Sequence, residues 1–299
     1  FLVTTDEFGV IAVIGWMNVF AGSFLCALPR NRTTAIRLVL ILVSTLTAIV
    51  FLLARPLNAR SAESRFPGQQ LVETRNSIYG NLAVTRNGSQ YNFFENGLFL
   101  SADRDEMASE YAVHFPMLSH PAPKNILLIG NGFSGALAEI LKHDPASVDY
   151  VELDPELIRI AREYIPADLG RALADPRVHV TAADGRFFME QHAASASDAL
   201  LVNLPNPSTA LINRYFTSDF FAEARALLKP DGLLSTRMAF SPDYVSAELA
   251  VLGASVYESL HAVFSYVSIL PEYEILYLPS PQPPARHPPP RPAQHGPAT

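Results

Sequence analysis

NILLIGNGFSGALAEILKH, residues 125–143, decides how this chain folds. Asn125–Ile129 reads as an apolar strand, Gly130-Asn131-Gly132-Phe133-Ser134-Gly135 as a glycine-rich turn, and Ala136–His143 as an amphipathic helix. G-x-G-x-x-G gains its meaning from this context, between a strand and a helix. Its glycines permit a tight turn and close approach of backbone to ligand and of helix to strand. The helix start presents unpaired N–H groups.

Working outward, a second apolar strand, Val148–Val151, ends in Glu152-Leu153-Asp154-Pro155, about twenty residues past the loop, where an acid that holds ribose hydroxyls stands in such units. A carboxylate can accept from two vicinal hydroxyls at once. Glu152 is the first choice for that role. Asp154 is read mainly as the N-cap of ELIRIAREYI, with Pro155 at its first position. A third strand, Val178–Ala182, ends in Ala183-Asp184-Gly185-Arg186, and a fourth, Ala199–Val202, in Asn203-Leu204-Pro205-Asn206-Pro207. A helix near Asp219–Leu228, a Pro-Asp-Gly turn at 230–232, strand Leu233–Arg237, a helix near Asp243–Leu260 and two closing strands complete the series. Alternating strands and helices predict an α/β fold with a mostly parallel, doubly wound sheet, whose ligands sit at the carboxyl ends of the strands.

Several further pieces stand in one order: ETRNSIYGNLAV from Glu73, the Y-x-F-x-x-N-G hairpin from Tyr91, LSADRDE from Leu100, and E-x-x-x-H-x-P from Glu110. After them come SHPAPKNILLIGNG, VELDPELIRIAREY, DPRVHVTAADGRFF and NLPNPSTALINRYFTSDFF. Together these pieces, from Glu73 to Ser280, resemble the spermidine synthase (polyamine aminopropyltransferase) family and its membrane-fused bacterial relatives. The resemblance implies a small N-terminal β-domain at 65–115 packed on a class I methyltransferase-like, Rossmann-type domain at 116–280. It implies decarboxylated S-adenosylmethionine as co-substrate, a polyamine acceptor, no metal, and a second copy of the chain as partner.

Carried over residue by residue, the resemblance sets Gly130, Gly132 and Gly135 along the nucleoside, Glu152 on the ribose, and Asp184, followed by Gly185, near the adenine amino group. The amine half departs from the family. Phe133 or Ser134 stands where the family has Asp in the glycine loop, Ala108-Ser109 where it has Tyr-His, and Asn203 where it has the catalytic Asp. Asn206 replaces a second carboxylate. Aminopropyl transfer needs a free amine, which arrives protonated at neutral pH. Asn203 can orient an amine through its carbonyl but cannot act as a general base, a step worth about 10²–10⁴-fold in rate. Tyr79, matching the family's S-x-Y tyrosine, is the other catalytic candidate. Glu110, Asp103 and Asp105 are candidate replacement acids, and His114 and His120, flanking Pro116 in an interdomain segment, are read as structural.

The rest of the composition sets the frame. A net charge of −7 with no concentrated basic face argues against a nucleic-acid partner, and a single cysteine, Cys26, excludes an intrachain disulfide and a cysteine-rich zinc site. Phe8–Leu28 and Leu38–Ala54 carry no charged residue and are long enough to span a ~30 Å hydrocarbon core as helices, the second with help from snorkelling Arg37 and Arg55. They predict a transmembrane helical hairpin in a membrane segment at 1–60. The start, FLVTTDE, is acidic and unlike a secretory signal, and the missing initiator Met leaves room for spans upstream of Phe1. Arginines on both sides of the second run leave the positive-inside rule tied. An inner-membrane, multi-pass protein with its globular part in the cytoplasm is expected because the inferred ligand is a cytosolic metabolite. Proline-rich residues 281–299 predict a disordered tail with polyproline II bias.

Three functions remain open. The leading one is aminopropyl transfer weakened by Asn203; the others are a non-catalytic nucleoside-binding membrane protein and an S-adenosylmethionine-dependent methyltransferase, since fold alone does not decide the reaction.

Overall fold

Glycine and asparagine punctuation shapes the first of two compact units, which divide between Phe99 and Leu100. In the computed structural model, strands β1 (Gln70–Asn76), β2 (Asn81–Asn87), β3 (Gln90–Glu95) and β4 (Leu98–Ala102) form an antiparallel sheet in the order 1-2-3-4. The β3–β4 loop is Asn96-Gly97 with φ of 53° and 79°, the left-handed pair that a two-residue hairpin needs. Phe66, Ala83 and Phe94 form the small core of this unit, with the two rings 4.6 Å apart. The structure describes residues 13–17, 19–20, 22, 42–43, 45–46, 49, 63–192, 196–239, 245–271 and 274–282. Most of the expected hairpin, and residues 283–299 of the expected tail, lie outside them. Among the described residues no helix is long and apolar enough to cross a membrane.

The first helix of the second unit, α1 (Glu106–Ser119), is capped by Asp105, whose carboxylate accepts from Ala108 N at 3.2 Å. The sequence boundary near Phe115 falls inside this helix, and His114 and Pro116 are helical rather than part of a linker. Strand β5 (Asn125–Ile129) and a single 3₁₀ turn, Gly132–Ser134, lead into α2 (Ala136–Leu141). There follow β6 (Ser147–Glu152), α3 (Pro155–Tyr164), α4 (Ala167–Leu173), β7 (Val178–Ala182) and α5 (Gly185–Glu190). Next are β8 (Ser197–Val202), α6 (Ala210–Asn213), α7 (Ser218–Leu227), β9 (Leu228–Ala239), α8 (Ala247–His261), β10 (Tyr266–Pro271) and β11 (Glu274–Ser280).

The strands form one seven-stranded sheet in the order 10-11-9-8-5-6-7, parallel from β9 to β7, with β11 and β10 antiparallel at one edge. β5 and β8 are nearly wholly buried and apolar from Ile126 and Ala199 onward, as strands covered on both faces should be. Leu127, Ile129, Leu200, Val202, Phe220 and Phe221 belong to one buried hydrophobic core. Strand order reverses between β5 and β8, so the glycine turn and Asn203 emerge together at the switch point where such sheets bind ligands. The Pro-Asp-Gly turn proves to be an irregularity inside β9. Ser197 pairs with Leu228 and Ala199 with Leu233, so the residues between bulge out of register without ending the strand.

Asp198 locks the start of this sheet. Only 6% exposed, it accepts from Lys124 N at 3.0 Å and Asn125 N at 2.7 Å, and its other oxygen lies 2.8 Å from Lys229 Nζ. Burial alone would push its pKa up. The hydrogen bond from Lys229 and those from the two backbone N–H groups outweigh burial and hold it below the ordinary value. A carboxyl whose folded pKa is depressed stabilises the fold above its unfolded pKa and loses that contribution as pH falls through the folded value. Asp198→Ala is therefore expected to cost about 2 kcal/mol at pH 7. In urea melts the gap between parent and variant should narrow at pH 3, and an equal gap at both pH values would contradict this account.

Candidate functional site

Strand alternation puts Tyr150 and Glu152 on the same face of β6, and this pair organises the glycine turn. Glu152, 7% exposed, accepts from Asn131 N and Tyr150 OH at Oε2, both at 3.0 Å, and from Leu153 N at Oε1, 2.9 Å. Tyr150 in turn takes a hydrogen bond from the Gly132 backbone. Burial, then the nearby Glu152 charge, pushes the Tyr150 phenol well above its ordinary pKa, so it remains a donor to that carboxylate. The sequence signal for Tyr150 is its position two residues before Glu152 on an apolar strand.

The turn itself requires glycine on packing grounds. A Cβ on Gly132 would stand 2.8 Å from Tyr150 Cε2, and one on Gly135 2.7 Å from Ser109 Oγ. Gly135 also takes φ of +125°, which side chains rarely adopt. Ser109, on α1, donates to Ser134 O at 3.2 Å, so the residue standing where the family has His braces the turn from below. Gly130 continues the β5 ladder through its N–H to Val151 O at 2.9 Å. Phe133, one of the two residues at the position where the resemblance puts an Asp, is buried at 2% exposure.

Asn203 follows β8, its backbone N–H on Ile129 O at 2.8 Å and its side-chain amide donating to Asn131 O at 3.1 Å. The two asparagines thus join the ends of β5 and β8. Among the described residues, three buried acceptors around this junction receive no hydrogen bond: Asn131 Oδ1, Asp154 Oδ2 and Asn203 Oδ1. Asp154 uses its other oxygen to cap α3, accepting from Glu156 N at 2.9 Å. Leaving a buried acceptor unmatched costs about 1–3 kcal/mol, so these three oxygens are the acceptors here that an added donor would stabilise.

Asn203, Ser235 and Arg237 line a water-sized cavity of about 10 Å³ whose walls include no carboxylate. Arg237 pairs with Glu274 at 2.7 Å. Asn206, in place of the second carboxylate, accepts from Ala239 N at 2.7 Å and so pins its loop to β9. Tyr79 belongs to the first unit, in the Ser77–Gly80 turn, 38% exposed, with its N–H on Ser77 Oγ at 3.0 Å.

Asp184 and Gly185 follow β7. Asp184 Oδ1 accepts from Arg186 N at 3.0 Å and Phe187 N at 3.1 Å, capping α5, while Arg214 Nη1 lies 2.7 Å from Oδ2. Gly185 N donates to Tyr215 OH at 3.0 Å. Arg214 and Tyr215 were not foreseen, because nothing local in sequence ties positions thirty residues apart.

Among the described residues, two clusters bring carboxylates and imidazoles close enough to hold a cation: Glu110, His114 and Glu139, and His120, Asp198 and Asp231. Each is engaged within the protein. His114 lies 3.1 Å from Glu139 through Nε2 and 2.8 Å from His143 through Nδ1, and Lys142 bonds the same Glu139 carboxylate. Burial, then neighbouring His114, lowers the pKa of His143. In the second cluster His120 Nδ1 accepts from Ala122 N at 3.2 Å, which puts the proton of the neutral ring on Nε2 and removes that lone pair as a metal ligand.

Fold and topology together define a Rossmann-type α/β protein with a small antiparallel β-domain, its glycine turn and Asn203 at the β5/β8 switch point. The Spermine/spermidine synthase domain matches residues 106–278, more than half of the chain, and the protein belongs to that family. A polyamine aminopropyltransferase from Thermoanaerobacter sp. (strain X514) is 29% identical over 182 residues, which are 60% of this chain and 64% of the relative. One from Pyrobaculum calidifontis is 28% identical over 228 residues, 75% of this chain and 73% of the relative. The fold is also that of a spermidine synthase crystallised with the transition state analogue AdoDATO, with TM-score 0.62 and 24% identity, covering 71% of this chain and 74% of that one.

The packing at the turn predicts opposite outcomes for two glycines. Gly135→Ala should lower stability by about 1–3 kcal/mol, from strain at a positive φ plus the Ser109 clash. Gly170→Ala, inside α4 with nothing within 4 Å of the added methyl, should raise it by up to about 1 kcal/mol. Thermal unfolding of both variants checks this; equal effects would mean the turn is not packed as described.

Proposed function

We propose that this chain binds decarboxylated S-adenosylmethionine or its methylthioadenosine product at the β5/β8 switch point, and that it is an aminopropyltransferase-like protein whose transfer to polyamines is weak. The observation that carries the reading is the set of unmatched buried acceptors around the glycine turn, Asn131 Oδ1, Asp154 Oδ2 and Asn203 Oδ1. A ribose and a protonated aminopropyl chain supply donors to such a site. Glu152 supports it by fixing the turn and placing a carboxylate at the end of β6. Membership in the family and the aminopropyltransferase names of the relatives point the same way.

In aminopropyl transfer the acceptor nitrogen attacks the carbon beside the sulfonium, the C–S bond breaks, methylthioadenosine leaves, and the nitrogen gives up a proton. Asn203 can align the amine through Oδ1 but cannot take that proton. Arg237 adds a guanidinium nearby, matched by Glu274, where a polycation would favour net negative charge. The same amide supports a second reading, a nucleoside-binding module without turnover.

Calorimetry with methylthioadenosine and a product assay with putrescine separate these readings. Glu152→Ala should weaken methylthioadenosine binding by about 1–3 kcal/mol. Parent turnover should be low, and Asn203→Asp should raise it. Absence of methylthioadenosine binding by the parent would remove the nucleoside assignment. A parent as fast as Asn203→Asp would remove the weakened-transfer reading and direct attention to Tyr79 or Glu110.

We also propose that residues 8–54 anchor the protein in the inner membrane with the α/β unit in the cytoplasm. Two uncharged runs support this, as do the exposed apolar side chains of Trp16, Met17, Phe20, Leu42 and Leu46 in their described helical parts. Removing residues 1–60 should convert a detergent-requiring protein into a soluble one with its melting behaviour unchanged. Full-length protein recovered soluble without detergent would contradict the anchor.

A further inference from the structure

The carboxyl ends of β5, β6 and β7 lie side by side, so a nucleoside that starts at the glycine turn on β5 and crosses Glu152 and Asp154 on β6 reaches Asp184 on β7 with its base. What the chain presents there is not a lone carboxylate. Asp184 is held by α5, whose Arg186 and Phe187 N–H groups donate to Oδ1 at 3.0 and 3.1 Å. Arg214 Nη1 then closes on Oδ2 at 2.7 Å, and Nη2 lies 3.3 Å from Oδ1.

Arg214 is itself fixed from behind. Its carbonyl receives Arg186 Nη1 at 3.4 Å and Thr217 Oγ1 at 3.3 Å, and the next residue, Tyr215, accepts the Gly185 N–H at 3.0 Å. Arg186 is not a competitor for Asp184, because its Nε donates to Glu223 at 2.9 Å. The Arg214 side chain is 38% exposed and its guanidinium carries more N–H donors than the two spent on Asp184. The end of β7 therefore offers two complementary groups side by side: the Asp184 carboxylate as acceptor and, on the partly exposed Arg214 guanidinium, N–H donors beyond the two spent on Asp184.

We propose that Arg214 is a specificity-determining residue that relaxes base selection, so that the site takes 6-oxopurine as well as 6-aminopurine nucleosides. This rests on the nucleoside reading given above. A carboxylate alone accepts from an exocyclic amino group and repels an exocyclic oxygen. With Arg214 paired to it, the carboxylate's charge is offset, and the guanidinium satisfies the oxygen instead. Because α5 holds Asp184 independently, removing Arg214 leaves the acceptor oriented and restores discrimination.

The test is the ratio of dissociation constants for 5′-methylthioadenosine and 5′-methylthioinosine, measured by calorimetry on the full chain in detergent. The parent should bind the two within about threefold of each other. Arg214→Gln should favour the amino form by about tenfold or more, the discrimination that one hydrogen bond to a charged acceptor supports. Asp184→Asn, which keeps a good helix cap, should favour the oxo form. Tenfold or greater preference for the amino form in the parent overturns the proposal without any variant, as does an unchanged ratio in Arg214→Gln. If the parent and both variants bind neither compound, the nucleoside reading itself fails; binding with the wrong ratios sinks only the role of Arg214.

Discussion

Asn131 stands in the left-handed region at φ of 46°, a conformation that costs a non-glycine residue about 1–2 kcal/mol, and the turn persists because other groups hold it there. Its N–H reaches Glu152, its carbonyl takes the Asn203 amide, and Ser134 Oγ donates to the same carbonyl at 3.1 Å. Three strands are joined through this one residue, β5 by chain continuity, β6 through Glu152 and β8 through Asn203. Remove the Glu152 contact and the turn keeps only Gly130 N–H on Val151 O and the Gly132 backbone on Tyr150 as its ties to β6. Remove Asn203 and it loses its tie to β8.

That dependence gives Glu152 a double character. A strand-end acid can grip a ligand, yet here both its oxygens accept from the protein's own donors. Tyr150 keeps its proton because burial and the Glu152 charge both oppose the phenolate, so the pair does not drift apart at mildly basic pH. Asp154 shows the reverse division of labour, with one oxygen on the helix cap and the other buried without a donor. The expectation that Asp154 is mainly a cap describes one of its two oxygens only.

Much of this architecture was legible in the sequence because it is written in local patterns. β5, β7, the glycine turn and the Asp154-Pro155 helix start all depend on residues within a few positions of one another. The Pro-Asp-Gly stretch misled for the same reason. Its local preference is for a turn, but pairing with β8 on both sides absorbs it as a bulge within β9. What local patterns could not show were the contacts that cross the sheet: Ser109 beneath Gly135, Tyr215 on Gly185, Arg214 on Asp184 and Asn206 on Ala239. Each joins segments far apart in the chain, and the topology alone brings them together.

Those crossing contacts also show what the residues at 109, 203 and 206 do in the fold. Ser109 braces the turn by donating to Ser134 O, Asn206 pins its loop through Ala239 N, and Asn203 bridges two strands through its amide. An aspartate at 203 would present two acceptors to the Asn131 carbonyl, which is itself an acceptor, whereas the asparagine Nδ2 donates to it. The amide therefore strengthens the β5–β8 junction through the very group that ends its capacity as a base. Packing and chemistry pull this position in opposite directions, and in this chain the residue present is the one that packing favours.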